Sequence, residues 1–176
     1  MKISIVSYSL SGNNDALAAR VARALGADHL KVAEPTPRPM RAIFFDMLFN
    51  RTPRVGLPSG ALSKGEALVF FAPVWMGKVA SPLRASLKAL KADSRPYAFV
   101  SISGGSDGTD VTQRLADDLK ARTGRAPVAV VDLHVADLLP REPKPTRETT
   151  SAYKLTEADI VKLAAKAVEA LKGKIG

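Results

Sequence analysis

Cysteine is absent from the 176-residue chain. Disulfides, zinc–thiolate sites, iron–sulfur clusters and a cysteine nucleophile are thereby excluded. Histidine is almost as scarce: the two residues, His29 and His134, stand far apart, and such a pair predicts no metal site. Tryptophan occurs once, as Trp75. No apolar run is long enough to span a bilayer. The opening Met1–Val6 reads as a strand rather than a signal peptide, because its apolar run is short and no cleavage site follows. A cytoplasmic protein is the expectation. Neither an internal repeat nor a domain boundary is visible, so one domain over residues 1–176 is expected, large enough to bury a core.

Acidic charge is the minority. Twenty-six Lys and Arg stand against 17 Asp and Glu, a formal charge of +9. Such an excess suits an acidic partner. The positive charges are dispersed, however, over Arg38, Arg41, Arg51, Arg54, Lys88, Lys91, Arg122, Arg125 and the C-terminal segment. Dispersed charge reads as a solvated surface, and without a recognition motif no nucleic-acid partner is expected.

Strand and helix patterns alternate along the chain. Residues 2–8, 28–33, 68–72, 97–102 and 126–133 read as strands, several of them apolar on both faces. Residues 14–25, 82–90, 110–123 and 156–171 read as helices, the first with Leu17, Val21 and Leu25 on one face and Gly26 at its C-cap. Leu155, Ile160, Leu163, Ala164 and Ala167 form the inward face of the last helix. Apolar strands alternating with helices predict an α/β fold, a parallel sheet covered on both sides.

Two segments interrupt this pattern. Residues 35–66 hold five of the twelve prolines, and within them Met40–Asn50 has the spacing of a short helix carrying Phe44, Phe45, Leu48 and Phe49. It reads either as a cover on the sheet or as a flap over a ligand. Residues 138–154 read as an extended, polar, proline-rich crossing with no part in the chemistry.

In an open parallel sheet, ligands bind beyond the carboxyl ends of the strands. That rule selects three loops. The first, Ser9-Leu10-Ser11-Gly12-Asn13-Asn14, ends a strand and opens a helix, where orphan N–H groups and the helix dipole favour a phosphate. It contains no Lys or Arg, and its other reading is a plain join capped by Asn13 or Asn14. The second, Pro73-Val74-Trp75-Met76-Gly77-Lys78-Val79-Ala80-Ser81-Pro82, holds the tryptophan between a stiff residue, Pro73, and a permissive one, Gly77. Trp75 is either a core plug or the wall of a flat ligand. The third, Ser103-Gly104-Gly105-Ser106-Asp107-Gly108, is either a glycine turn or a flexible cradle. Together the three suit a phosphorylated planar heterocycle.

These loops resemble those of the flavodoxin family over nearly the whole chain. Ser9-Leu10-Ser11-Gly12 matches the first four positions of the family's phosphate loop, Ser/Thr-x-Ser/Thr-Gly-x-Ser/Thr, and Asn14 takes its last hydroxyl position. Pro73-Val74-Trp75-Met76-Gly77 followed by Pro82-Leu83-Arg84 is similar to the flavin-wall segment, and Ser103-Gly104-Gly105 to the third flavin loop. The resemblance implies a flavodoxin-like three-layer sandwich, with a five-stranded parallel sheet in order 2-1-3-4-5 and helices on both faces. It implies FMN as cofactor, held by Ser9–Asn14, Pro73–Gly77 and Ser103–Gly105, with Trp75 beside the ring. The third loop has no aromatic, which leaves one ring face open to NAD(P)H or a small electron acceptor.

Flavodoxins that carry electrons are typically acidic, and a chain at +9 would be repelled by their basic partners. This favours an oxidoreductase passing electrons from reduced nicotinamide to a quinone or similar acceptor. An electron carrier and a flavin-free interaction domain are the other two readings. The resemblance also raises a homodimer in which a neighbour covers the ring. No residue is singled out as a catalytic acid or base, and His29 and His134 read as surface or half-buried side chains.

Overall fold

The computed structural model describes residues 1–34, 40–53, 55, 62, 65–75, 77–105 and 109–175. Five strands, β1 (Ile3–Ser7), β2 (Asp28–Lys31), β3 (Ala67–Phe71), β6 (Tyr97–Ser103) and β7 (Ala129–His134), form one sheet in the order β2-β1-β3-β6-β7. Every pairing in it is parallel. Taken in chain order, these strands give the expected 2-1-3-4-5. Two further strands, β4 (Val74–Trp75) and β5 (Lys78–Val79), make a small antiparallel hairpin of their own.

The central strands read as unbroken apolar runs because both of their faces are covered. Successive side chains point to opposite sides of the sheet. Ile5, Val69, Phe71, Ala98 and Val100 therefore face one layer, and Val6, Leu68, Phe70, Tyr97 and Phe99 the other. The first layer is closed by α1 (Asn13–Leu25), through Leu17, Ala18 and Val21, and by α6 (Glu157–Leu171), through Leu163, Ala164, Ala167 and Leu171. The second is closed by α3 (Arg84–Ala89), through Leu87, and by α4 (Thr109–Thr123), through Leu115 and Leu119. Each Leu or Val so buried stabilises the fold by roughly 1.5–3 kcal/mol.

Several expected elements are altered in detail. The helix expected over residues 82–90 is three pieces: a 3-10 turn at Ser81–Leu83 with Pro82 near its start, α3, and a second 3-10 turn at Leu90–Ala92. The crossing at residues 138–154 is not wholly extended. It contains α5 (Arg147–Ala152), whose start is closed by a reciprocal capping box between Thr146 and Thr149. The proline-rich segment does hold a helix, α2 (Met40–Leu48); among its described side chains Ile43 is the buried one, and the side chain of Phe44 lies outside the described residues. Phe45, Leu48 and Phe49 are 49%, 62% and 60% exposed. Arg84, itself buried, ties this segment down by donating to the carbonyls of Asp46 (3.2 Å) and Arg51 (3.0 Å). Much of the rest of that segment, residues 35–39, 54, 56–61 and 63–64, lies outside the described residues.

Candidate functional site

Strands β1, β3 and β6 are adjacent and parallel, so their carboxyl ends share one edge of the sheet. The three loops of the sequence follow these ends: Ser9–Gly12 with the first turn of α1, Pro73–Gly77, and Ser103–Gly105. They line one rim. Met76 and Ser106–Gly108 lie outside the described residues.

In the first loop, Gly12 has a φ of +93°, which lets the chain turn sharply into α1. Gly12, not an asparagine, is the N-cap of α1, and no side chain caps it. Ala16 N–H closes the first helical turn on the Gly12 carbonyl at 3.0 Å. The N–H of Asn14 goes to Ser9 Oγ at 3.1 Å, which draws the loop over the helix start. Those of Asn13 and Asp15, in the same first turn, have by position no acceptor within the helix. Leu10 is exposed.

The two asparagine side chains act differently from the sequence expectation. Asn14 does not offer its amide to the rim. It is buried, donates Nδ2–H to the Ile102 carbonyl (3.1 Å) and accepts the Ile102 N–H (3.0 Å), mimicking a strand neighbour at the end of β6. The first and third loops are thereby locked together. Asn13 turns towards the C-terminal part of the chain, donating to the Tyr153 carbonyl (2.9 Å) and accepting the Leu155 N–H (3.2 Å). The residue between those two, Lys154, donates from Nζ to the Ser11 carbonyl. A cation thus reaches a loop that has none in its own sequence.

The second loop is the β4–β5 hairpin, with Trp75 opposite Lys78 and Val74 opposite Val79. Trp75 is half-buried rather than a core plug, and packs on the cluster that includes Val6, Tyr8 and Phe70. Tyr8 meets it edge-on, while the Tyr8 hydroxyl donates to Glu34 Oε2 at 3.2 Å. The hairpin is anchored from α4, where Asp118 accepts the Val79 N–H at 3.2 Å. Pro73 and Val74 are likewise half-buried, and Gly77 is buried.

In the third loop, Gly104 is needed because α5 comes close. A Cβ there would lie 2.8 Å from Thr150 Oγ1 and 3.4 Å from Thr150 Cβ. Gly105 is exposed. The Ser103 hydroxyl lies 3.2 Å from His134 Nδ1, and His134 Nε2 is 3.6 Å from Asp132 Oδ2. Asp132 in turn accepts the Ser101 hydroxyl. His134, which the sequence could place only as a surface or half-buried residue, is therefore part of a polar row along the ends of β6 and β7. No group of three or more metal-ligating side chains occurs among the described residues.

Sequence signals missed Tyr8, Lys154 and the Asn14–Ile102 lock. Tyr8 had a readable signal, an aromatic at the end of the first strand. Lys154 had none, since its approach depends on contacts with residues about the whole chain away.

An open parallel sheet in this order, with loops gathered beyond β1, β3 and β6, is the flavodoxin-like fold. Solved structures agree. A flavoprotein from Lactobacillus acidophilus NCFM, crystallised in complex with FMN, superposes with a TM-score of 0.63, at 18% identity over 74% of this chain and 92% of that one. A flavodoxin from the domain Archaea covers 100% of both chains at 14% identity and a TM-score of 0.51. A flavodoxin, WrbA-like protein from Agrobacterium tumefaciens aligns over 98% of this chain and 96% of its own, at 10% identity and a TM-score of 0.52. No protein-family model and no curated protein matches the sequence. No helix among the described residues is long and apolar enough to cross a membrane.

Proposed function

We propose that the chain is an FMN-binding oxidoreductase, passing electrons from reduced nicotinamide to a quinone or similar small acceptor. The observation that carries this reading is the common rim. A neutral donor loop at the start of α1 lies beyond one strand, a braced half-buried tryptophan beyond the next, and a glycine pair beyond the third. That FMN accompanies the same fold in the Lactobacillus flavoprotein supports it.

The residues fit the cofactor part by part. Ser9–Asn14 would hold the phosphate, through main-chain N–H groups at a helix start and the serine hydroxyls. Trp75, steadied by Tyr8, would flank the ring, and Pro73, Val74, Met76 and Gly77 would border its polar edge. Ser103, Gly104 and Gly105 would lie along the other side. FMN supplies the hydride and electron chemistry when bound, while the chain binds it, orients it and sets its surroundings. The third loop carries no aromatic over Ser103–Gly108, so the ring's second face is left for donor and acceptor. The charge of +9 speaks for small-molecule partners over a basic protein partner.

Anaerobic mixing of the FMN-loaded protein with NADH or NADPH, followed by a quinone, tests the activity. Loss and then recovery of the flavin absorption, without any protein partner, is the expected course. Bleaching that needs a second protein would assign an electron carrier instead.

A further inference from the structure

We infer that Lys154 is the cation of the phosphate site, delivered from the far end of the chain, and that it makes the site select a phosphorylated flavin over the unphosphorylated one. This rests on the reading of Ser9–Asn14 as a phosphate cradle. The loop holds no Lys or Arg of its own, yet Lys154 Nζ donates to the carbonyl of Ser11 at its centre.

The approach is held from both sides. Asn13, in the first turn of α1, accepts the Leu155 N–H and donates to the Tyr153 carbonyl, so one side chain grips the residues before and after Lys154. Towards α6, Asp159 Oδ2 accepts three hydrogen bonds: from the Tyr153 hydroxyl (2.8 Å), the Thr156 N–H (2.9 Å) and the Thr156 hydroxyl (2.7 Å). These bonds hold the Asp159 carboxyl below its usual range, led by the Thr156 hydroxyl, so the clamp is ionised at neutral pH. The backbone over residues 153–156 is fixed on two sides while the Lys154 side chain stays exposed.

A carbonyl oxygen is neutral, so the ammonium charge is not cancelled at Ser11, and two of its three protons remain to be donated. The start of α1 favours an anion at the same place. Two independent sources of positive potential therefore meet at one loop. Only a ligand with a phosphate gains from them. Riboflavin, which has the same ring without phosphate, would be indifferent to Lys154.

The test is a fluorescence titration of the full chain with FMN and with riboflavin, in the wild type, Lys154→Met and Lys154→Arg, at low and at moderate salt. Lys154→Met is expected to weaken FMN by about tenfold and leave riboflavin unchanged, because a charge-assisted bond is lost from one ligand alone. Its FMN affinity also loses much of its salt dependence, and Lys154→Arg keeps most of the wild-type preference. Equal FMN affinity in the wild type and Lys154→Met overturns the assignment. So does an equal loss of both ligands, which would make Lys154 a structural residue. A wild type that binds neither flavin overturns the underlying FMN reading as well, and is distinguished by failing before any variant is compared.

Discussion

Tyr8 meets Trp75 edge-on, with ring centroids 6.4 Å apart and planes at 88°. The Tyr8 ring is buried, and its hydroxyl is held by Glu34, so it is the fixed member of the pair. Trp75 is thereby oriented by a residue from the end of β1, directly before the phosphate loop. Trp75→Ala is expected to weaken FMN by roughly tenfold or more while leaving the fold intact, since a stacked aromatic is lost from a half-buried hairpin. Tyr8→Leu should give a smaller loss through the same route. FMN titration together with far-ultraviolet circular dichroism checks both, and unchanged affinity in Trp75→Ala would remove the ring-wall role.

Gly104 marks where α5 closes on the third loop. Gly104→Ala places a Cβ against Thr150 Oγ1, and is expected to cost about 1–3 kcal/mol by overpacking. Adding Thr150→Ala removes the nearer atom and should recover part of the loss. Denaturant melts of the two single variants and the pair measure that coupling. Strict additivity would deny the contact.

Arg84 is expected to matter for stability and for the hold on α2. Its guanidinium serves the Asp46 and Arg51 carbonyls, and a hydrogen bond from a charged donor contributes about 1.5–3 kcal/mol. Arg84→Met should lower the melting temperature and speed proteolytic cleavage within residues 40–53. An unchanged cleavage pattern would show that α2 is held by other contacts, such as that of Ile43.

His29 predicts a pH dependence. Ser7 Oγ donates to Asp15 Oδ1 at 2.6 Å and lies 2.8 Å from His29 Nε2, so the ring must present Nε2–H to the same oxygen. Burial holds the His29 pKa below its usual value; Lys31 adds to that depression and Asp15 opposes it. The unfolded chain therefore takes up the proton first as pH falls. The stability from a neutral His29 is complete above about pH 6.5 and is lost as pH drops towards the folded value. Denaturant unfolding from pH 7.5 down to pH 5 should show this decline, and His29→Gln should flatten it. An equal slope in both proteins would place the titration elsewhere.

The sheet was legible because its central strands are covered on both faces. Residues such as Val69, Phe70 and Phe71 are all buried, which leaves an unbroken apolar run in the sequence. The hairpin was not, since strands of two residues are too short to show alternation. Nor could spacing tell which side of α2 turns inward: Phe45 and Leu48 within it, and Phe49 just after it, lie exposed. The rim itself followed from strand ends and loop composition. What spacing could not reveal were the side-chain bonds that cross the fold. Asn14 reads locally as a phosphate donor but pairs with Ile102, and Lys154 sits in a polar crossing yet reaches Ser11. Such bonds join distant residues and leave no periodic trace.

Visible absorption of the purified chain, taken after FMN is added and the excess removed, tests FMN binding at this rim most directly. Retained flavin bands are expected, together with quenching of the fluorescence of Trp75, the one tryptophan present. A colourless protein whose Trp75 emission does not respond to FMN would contradict the assignment, and would leave a flavodoxin-like fold that serves some flavin-free interaction.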